Sequence, residues 1–119
     1  TLARRNLPGK AGKSTLPLDN LSVQVSAILD EIQASMLAKA AAFRDEHIHP
    51  ANDYQSLTQI VQDGWAYAFW CGSAECETKV KEDTKATTRC IPLDQQESTG
   101  FCVVCGAPAR SRVYFARAY

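Results

Sequence analysis

Four of the five cysteines fall into two tight pairs, Cys71 and Cys76 as C-x4-C and Cys102 and Cys105 as C-x2-C. Zinc prefers four soft thiolates at the corners of a tetrahedron, each about 2.3 Å away, and a closely spaced pair supplies two corners. Each knuckle carries a glycine where the backbone must turn its amides toward sulfur, Gly72 after Cys71 and Gly106 after Cys105. The pattern predicts one zinc ion on Cys71, Cys76, Cys102 and Cys105. Four protein ligands leave no open position for water or substrate, so the expected metal is structural, not catalytic. Any fold of the C-terminal half must therefore bring residues 71–76 beside residues 102–105.

Cys90 is the spare thiol, and its place between Arg89 and Ile91 on an expected strand suggests a small buried side chain. An odd cysteine count argues against a disulfide framework and for metal binding in a reducing compartment. Structural zinc has two rivals. A redox C-x2-C belongs at a helix N-terminus, whereas Phe101 to Gly106 reads as a strand-like knuckle. A free-standing zinc ribbon that binds nucleic acid is the stronger rival, although residues 76–102 are net acidic.

Thirteen basic and thirteen acidic side chains give a net charge of zero that hides basic ends. Arg4, Arg5, Lys10 and Lys13 lie in residues 1–18, and Arg110, Arg112 and Arg117 in 106–119, with no acid in either stretch. So few charges are ordinary surface chemistry, since binding driven by counterion release needs more phosphate contacts. No segment approaches the ~20 apolar residues of a membrane helix, and no signal peptide is visible. A chain starting at Thr1 is expected to be a fragment or a processed product.

Along the chain, Gly9 to Thr15 resembles a phosphate-binding loop only superficially. Leu7 occupies the position of the first glycine, and Pro17 blocks the helix that should follow. A turn is expected instead. Asp19 or Asn20 caps a long helix running to about His47. Its stripe of Val25, Ile28, Leu29, Ile32, Met36, Ala40 and Phe43 predicts a helix that covers a sheet. His47 and His49 alternate on a short strand with no cysteine nearby in sequence, a poor metal site. Asn52 or Asp53 caps a second helix that Gly64 stops. Trp65 to Trp70 reads as a strand, Ala74 to Lys85 as a charged helix with Glu75–Lys79 and Glu77–Lys81 pairs, and Ala86 to Ile91 as a strand. A polar loop over 94–100 and a last strand, Val113 to Ala116, complete the chain.

Several blocks in order carry a more specific signal. They are Phe69-Trp70-Cys71-Gly72, Glu75-Cys76-Glu77, Lys81 through Pro92, Cys102-Val103-Val104-Cys105-Gly106 and Tyr114 through Tyr119. Together they resemble the C-terminal domain of prolyl-tRNA synthetase, a class II enzyme, in its archaeal/eukaryotic type, which some bacteria also possess. The resemblance runs from about residue 65 to the last residue, and the two upstream helices fit it.

The resemblance implies an α+β fold: a two-layer mixed β-sheet with two covering helices in βαβαββ-like order, plus a four-cysteine zinc knuckle. It is similar in topology to the C-terminal domain of translation initiation factor three. Residues 1–14 are then the tail of a preceding anticodon-binding domain or a linker, and 15–119 the zinc-binding domain. It also implies that the family's structural zinc maps onto the same four cysteines. The terminal Tyr119 would direct its carboxylate toward the active site, with Arg117 either steadying it or contacting the core. ATP and magnesium belong to the parent's catalytic domain, so this fragment alone should be inactive. The implied partners are the catalytic and anticodon-binding domains, tRNA(Pro) through the parent, and a second subunit in a homodimer. A cytoplasmic location and the absence of a membrane partner complete the expectation.

Overall fold

The computed structural model describes residues 1–95 and 98–118, and they divide into two compact units, Thr1–Phe43 and Arg44–Tyr119. In the first unit, β1 (Leu2–Ala3) pairs antiparallel with β2 (Lys13–Ser14) around a 3-10 turn at Gly9–Gly12. Gly12 is dictated by space: a Cβ there would sit 2.6 Å from the Leu7 carbonyl oxygen and 2.7 Å from that of Arg4. The glycine-rich stretch is thus a hairpin turn, as its proline and Leu7 predict.

Helix α1 (Leu21–Glu46) follows Asn20, whose φ of 56° and whose carbonyl, accepting from the Val23 and Gln24 amides, turn the chain into the helix. Arg4 reaches Glu31 at 3.0 Å and Asn6 reaches Ser35 at 3.4 Å, tying the hairpin to one side of the helix. Within its own unit the stripe expected to cover a sheet forms no core face. No residue of α1 is buried, and Leu29, Met36 and Phe43 are all more than half exposed.

The second unit holds a four-stranded mixed sheet. Its strands are β3 (Ile48–Pro50), β4 (Trp65–Trp70), β5 (Ala86–Cys90) and, after a small ribbon of β6 (Gly100–Phe101) and β7 (Pro108–Ala109), β8 (Ser111–Arg117). Helix α2 (Tyr54–Ile60) links β3 to β4, and α3 (Ala74–Thr84) links β4 to β5. Spatial order is β3-β4-β8-β5, with β3 parallel to β4 and β8 antiparallel to both its neighbours. The last strand in sequence is therefore an inner strand, which explains why Val113 and Phe115 are fully buried.

Alternation along the strands sorts the two faces. Ala66, Ala68, Ala86, Val113 and Phe115 join Leu57 and Val61 of the α2 region and Val80 of α3 in one core. The covering layer is thus α2 and α3, with α2 lying against β4 and its small alanines, and α3 against β5. The charges of α3 mask its inward face of Cys76, Val80 and Thr84.

Local signals set these helices. Asp53, not Asn52, caps α2 through a reciprocal capping box with Ser56, and Ser73 caps α3, whose end is a left-handed Lys85 at φ 66°. Gly64 does more than stop α2: a Cβ there would lie 2.8 Å from the His47 carbonyl oxygen. The two i,i+4 pairs expected on α3 are replaced. Lys79 pairs with Asp83 at 3.1 Å, and Glu77 turns inward to accept from the Thr88 amide and hydroxyl.

Cys90 also departs from expectation, being exposed rather than buried. A bulge between Thr88 and Cys90 puts Thr88 opposite Phe115 but Cys90 opposite Tyr114. Adding one residue to one strand reverses the face, so Cys90 leaves the core side.

Candidate metal centre

Three segments deliver the four sulfurs. Cys71 directly follows β4, Cys76 lies in the first turn of α3, and Cys102 and Cys105 occupy the loop of the β6–β7 ribbon. The first knuckle is held by the Ser73 cap and by the Trp70 indole N–H donating to the Ser73 carbonyl at 3.3 Å. The second is closed by the Cys102 amide on the Ala107 carbonyl (2.7 Å) and the Gly106 amide on the Cys102 carbonyl (2.9 Å). A further bond, from the Val103 amide to the Phe69 carbonyl at 3.0 Å, docks the ribbon beside the end of β4. Gly72 and Gly106 have φ of 85° and 72°, the left-handed turns expected of both knuckles.

The sulfurs converge closely. All four Sγ atoms lie within 4.8 Å of one another, and the Cys71–Cys76 and Cys71–Cys105 separations are both 3.7 Å. A zinc ion at about 2.3 Å from each sulfur demands a tetrahedral edge of about 3.8 Å. Two edges already have that length, so the donor set fits zinc in both chemistry and size. Bound there, the ion would neutralise thiolate charge and cross-link the end of β4, α3 and the ribbon.

Electrostatics separate the thiols. Burial pushes Cys102 up, but the amides of Cys105, Val104 and Cys71 more than offset it and hold the thiol down at about 7. Cys76 is driven upward, first by burial and then by the Cys105 and Cys71 thiols. At Cys71 the Ser73 amide pulls down while burial and the Cys102 and Cys105 thiols push up, with a net rise. Like charges so close cannot all ionise alone, and a divalent cation removes that conflict.

Other candidate residues fall outside the cluster. Among the described residues, the four cysteines are the one group of three or more such side chains with metal-binding geometry, and His47 and His49 are not in it. Cys90 is likewise separate. Tyr119 lies outside the described residues, as do Gln96 and Glu97 of the expected 94–100 loop, whose Gly100 belongs to β6. Arg117 is engaged inside its own unit, donating to the Thr84 carbonyl at 2.7 Å and to the Gln62 side chain. Arg112 stacks 4.4 Å from the Phe69 ring centre and 5.6 Å from that of Tyr67. These two basic side chains near the C-terminus are thus occupied internally. Sequence spacing had no means of revealing the Cys71 amide at Cys102 or the Glu77–Thr88 link, because both depend on contacts distant along the chain.

Comparison with known proteins agrees with this architecture. Residues 54–119 match the family model described as prolyl-tRNA synthetase, C-terminal. A proline–tRNA ligase from Roseiflexus castenholzii is 42% identical over 118 residues, covering 99% of this chain and 25% of that protein. One from Chloroflexus aurantiacus is 43% identical with the same coverage. The prolyl-tRNA synthetase of Cryptosporidium parvum, solved with halofuginone and AMPPNP, superposes with a TM-score of 0.80 at 26% identity. The match covers 87% of this chain and 23% of that one. The chain spans about a quarter of the length of the curated relatives it matches. It belongs to the family of prolyl-tRNA synthetase C-terminal domains.

Proposed function

We propose that this chain serves as the C-terminal part of a class II proline–tRNA ligase of the archaeal/eukaryotic type. The parent would use ATP and magnesium to activate proline and transfer it to tRNA(Pro). The observation that carries this reading is the match of 99% of the chain to proline–tRNA ligases at 42% identity. Likeness in fold to the Cryptosporidium parvum enzyme supports the subtype. In this reading residues 1–14 are the tail of the anticodon-binding domain or a linker, 15–119 form the zinc-binding domain, and the parent works as a cytoplasmic homodimer.

The domain's part in the reaction is structural. Zinc on Cys71, Cys76, Cys102 and Cys105 braces it, and β8 carries the chain toward Tyr119, whose carboxylate would face the active site of the catalytic domain. The ties from Arg117 to Thr84 and Gln62 support that role, because they fasten the end of β8 to its neighbours just before the terminal residues, where chain ends are commonly loose. A terminal carboxylate is an anion able to accept charge-assisted hydrogen bonds.

Deleting Ala118 and Tyr119 from the parent enzyme tests this directly. The expected result is a loss of aminoacylation rate with unchanged zinc content and melting temperature. Full activity after the deletion would remove the terminal-carboxylate role. An upstream reading frame without class II motifs would instead favour a free-standing zinc ribbon for nucleic acid.

A further inference from the structure

The four sulfurs are unequally protected. Cys76 and Cys102 are 7% and 3% exposed, Cys71 is half-buried, and Cys105 is exposed. The exposed sulfur lies 3.7 Å from Cys71. Cys71 in turn borders an open recess lined by Trp70, Ile91, Pro108 and Arg110, so solvent reaches this side of the cluster. Cys102, nearer to Cys105 in sequence, is buried beneath the ribbon loop and takes the amides of Cys105, Val104 and Cys71.

The two outer knuckles also have room to move. Cys71 precedes Gly72 and Cys105 precedes Gly106, and nothing lies within 4 Å of a Cβ built on either glycine. Closing a sulfur separation of 3.7 Å to a disulfide bond of about 2.0 Å is therefore a shift of two surface turns. The core need not repack.

We propose that the Cys71–Cys105 edge of the zinc cluster is an oxidation site at which hydrogen peroxide forms a disulfide and releases the metal. The proposal rests on the zinc reading above. The Cys105 thiolate attacks one peroxide oxygen, the O–O bond breaks, and the departing hydroxide takes a proton to become water. Cys105 is left as a sulfenic acid. The Cys71 thiolate then attacks that sulfur, the S–S bond forms, the S–O bond breaks, and the second hydroxide is protonated to water. Two sulfurs lose two electrons in total and the peroxide oxygens gain them. Cys76 and Cys102 remain as two ligands where structural zinc needs four, so the ion leaves. The brace between the end of β4, α3 and the ribbon is thereby made dependent on peroxide.

The test uses the full-length protein that carries this chain, purified with zinc, alongside a Cys90→Ser variant. Metal analysis comes first, with about one zinc per chain expected on this domain. Peroxide is then added stepwise, zinc release is followed with a chromophoric chelator, and disulfides are mapped by mass spectrometry. Expected are zinc release in step with a Cys71–Cys105 disulfide, the same behaviour in Cys90→Ser, and re-uptake of zinc after reduction. A first disulfide between Cys102 and Cys105, or zinc retained while Cys105 is oxidised, would overturn the switch and leave the zinc reading intact. A cluster that holds no zinc at the first step overturns both.

Discussion

Asp83 shows how a single surface carboxylate can knit two helices. The Tyr54 hydroxyl of α2 donates to it at 2.7 Å, and Lys79, one turn earlier on α3, reaches it at 3.1 Å. Those two partners hold the Asp83 carboxyl below its ordinary value, the Tyr54 bond being the larger cause. Burial and the Asp83 carboxylate push the Tyr54 phenol upward. A carboxyl depressed in the folded state contributes stability that is fully present above its unfolded pKa of 3.8. That contribution is lost as pH falls through the lower folded value. Tyr54→Phe should move the Asp83 titration upward, toward 3.8, in a carbon-detected NMR titration. An unchanged Asp83 midpoint would show that Lys79 alone sets it. Leu57 is a different kind of residue, fully buried between α2 and the sheet. Leu57→Ala should lower unfolding free energy by about 2–5 kcal/mol in urea melts, since the packed surroundings relax only partly into the gap.

At the scale of elements, α2 is only seven residues long and depends on its ends. Asp53 accepts from the Ser56 amide at 2.8 Å, and the Ser56 side chain answers to the Asp53 backbone. Asp53→Ala should lower the midpoint of chemical denaturation, while Asp53→Asn should recover most of the loss. The capping residue was legible as one of two neighbours, because Asn and Asp both favour this position. The choice between them depends on which backbone adopts the extended φ of −143° that aims the side chain at Ser56. Strand β5 shows where element-level reading stops. Ala86 to Cys90 reads as a strand, yet the bulge beside Arg89 that exposes Cys90 leaves no local mark. Bulges answer to the partner strand, here β8, which is distant along the chain.

For the molecule as a whole, the four-cysteine cluster matters because the ribbon has almost no core of its own. Phe101 is 72% exposed, and among the ribbon's residues Val103 and Ala109 are the buried apolar side chains beside Cys102. Removing metal should therefore loosen the ribbon and the N-terminal turn of α3 before the sheet itself. A strong chelator is expected to lower the melting temperature and to raise amide exchange first at Cys102 to Gly106, with β4 and β8 exchanging last. Unaltered melting and metal content under chelation would rule out a structural zinc. Hydrogen exchange separates this from general unfolding, in which β8 would exchange together with the ribbon.

Much of the four-cysteine cluster was present in the linear order of residues. Two cysteine pairs, each with a glycine at its turn, point to the four sulfurs that converge and to the left-handed turns, because coordination chemistry and backbone sterics act locally. The helix ends, the rejection of a phosphate loop and the family resemblance likewise rest on short-range patterns. Tertiary structure alone decided that α2 and α3 form the core with the sheet inside the second unit. The stripe on α1 is longer and richer in large apolar side chains, yet α3, with its many charges, buries Val80 and Cys76. Burial is a property of pairs of surfaces, and periodicity along one segment does not name its partner. The same reason hid the inner position of β8, the exposure of Cys90 and the uneven protection of the four sulfurs. Spacing identified the candidate zinc ligands; only packing distinguished the exposed Cys105 from the buried Cys102.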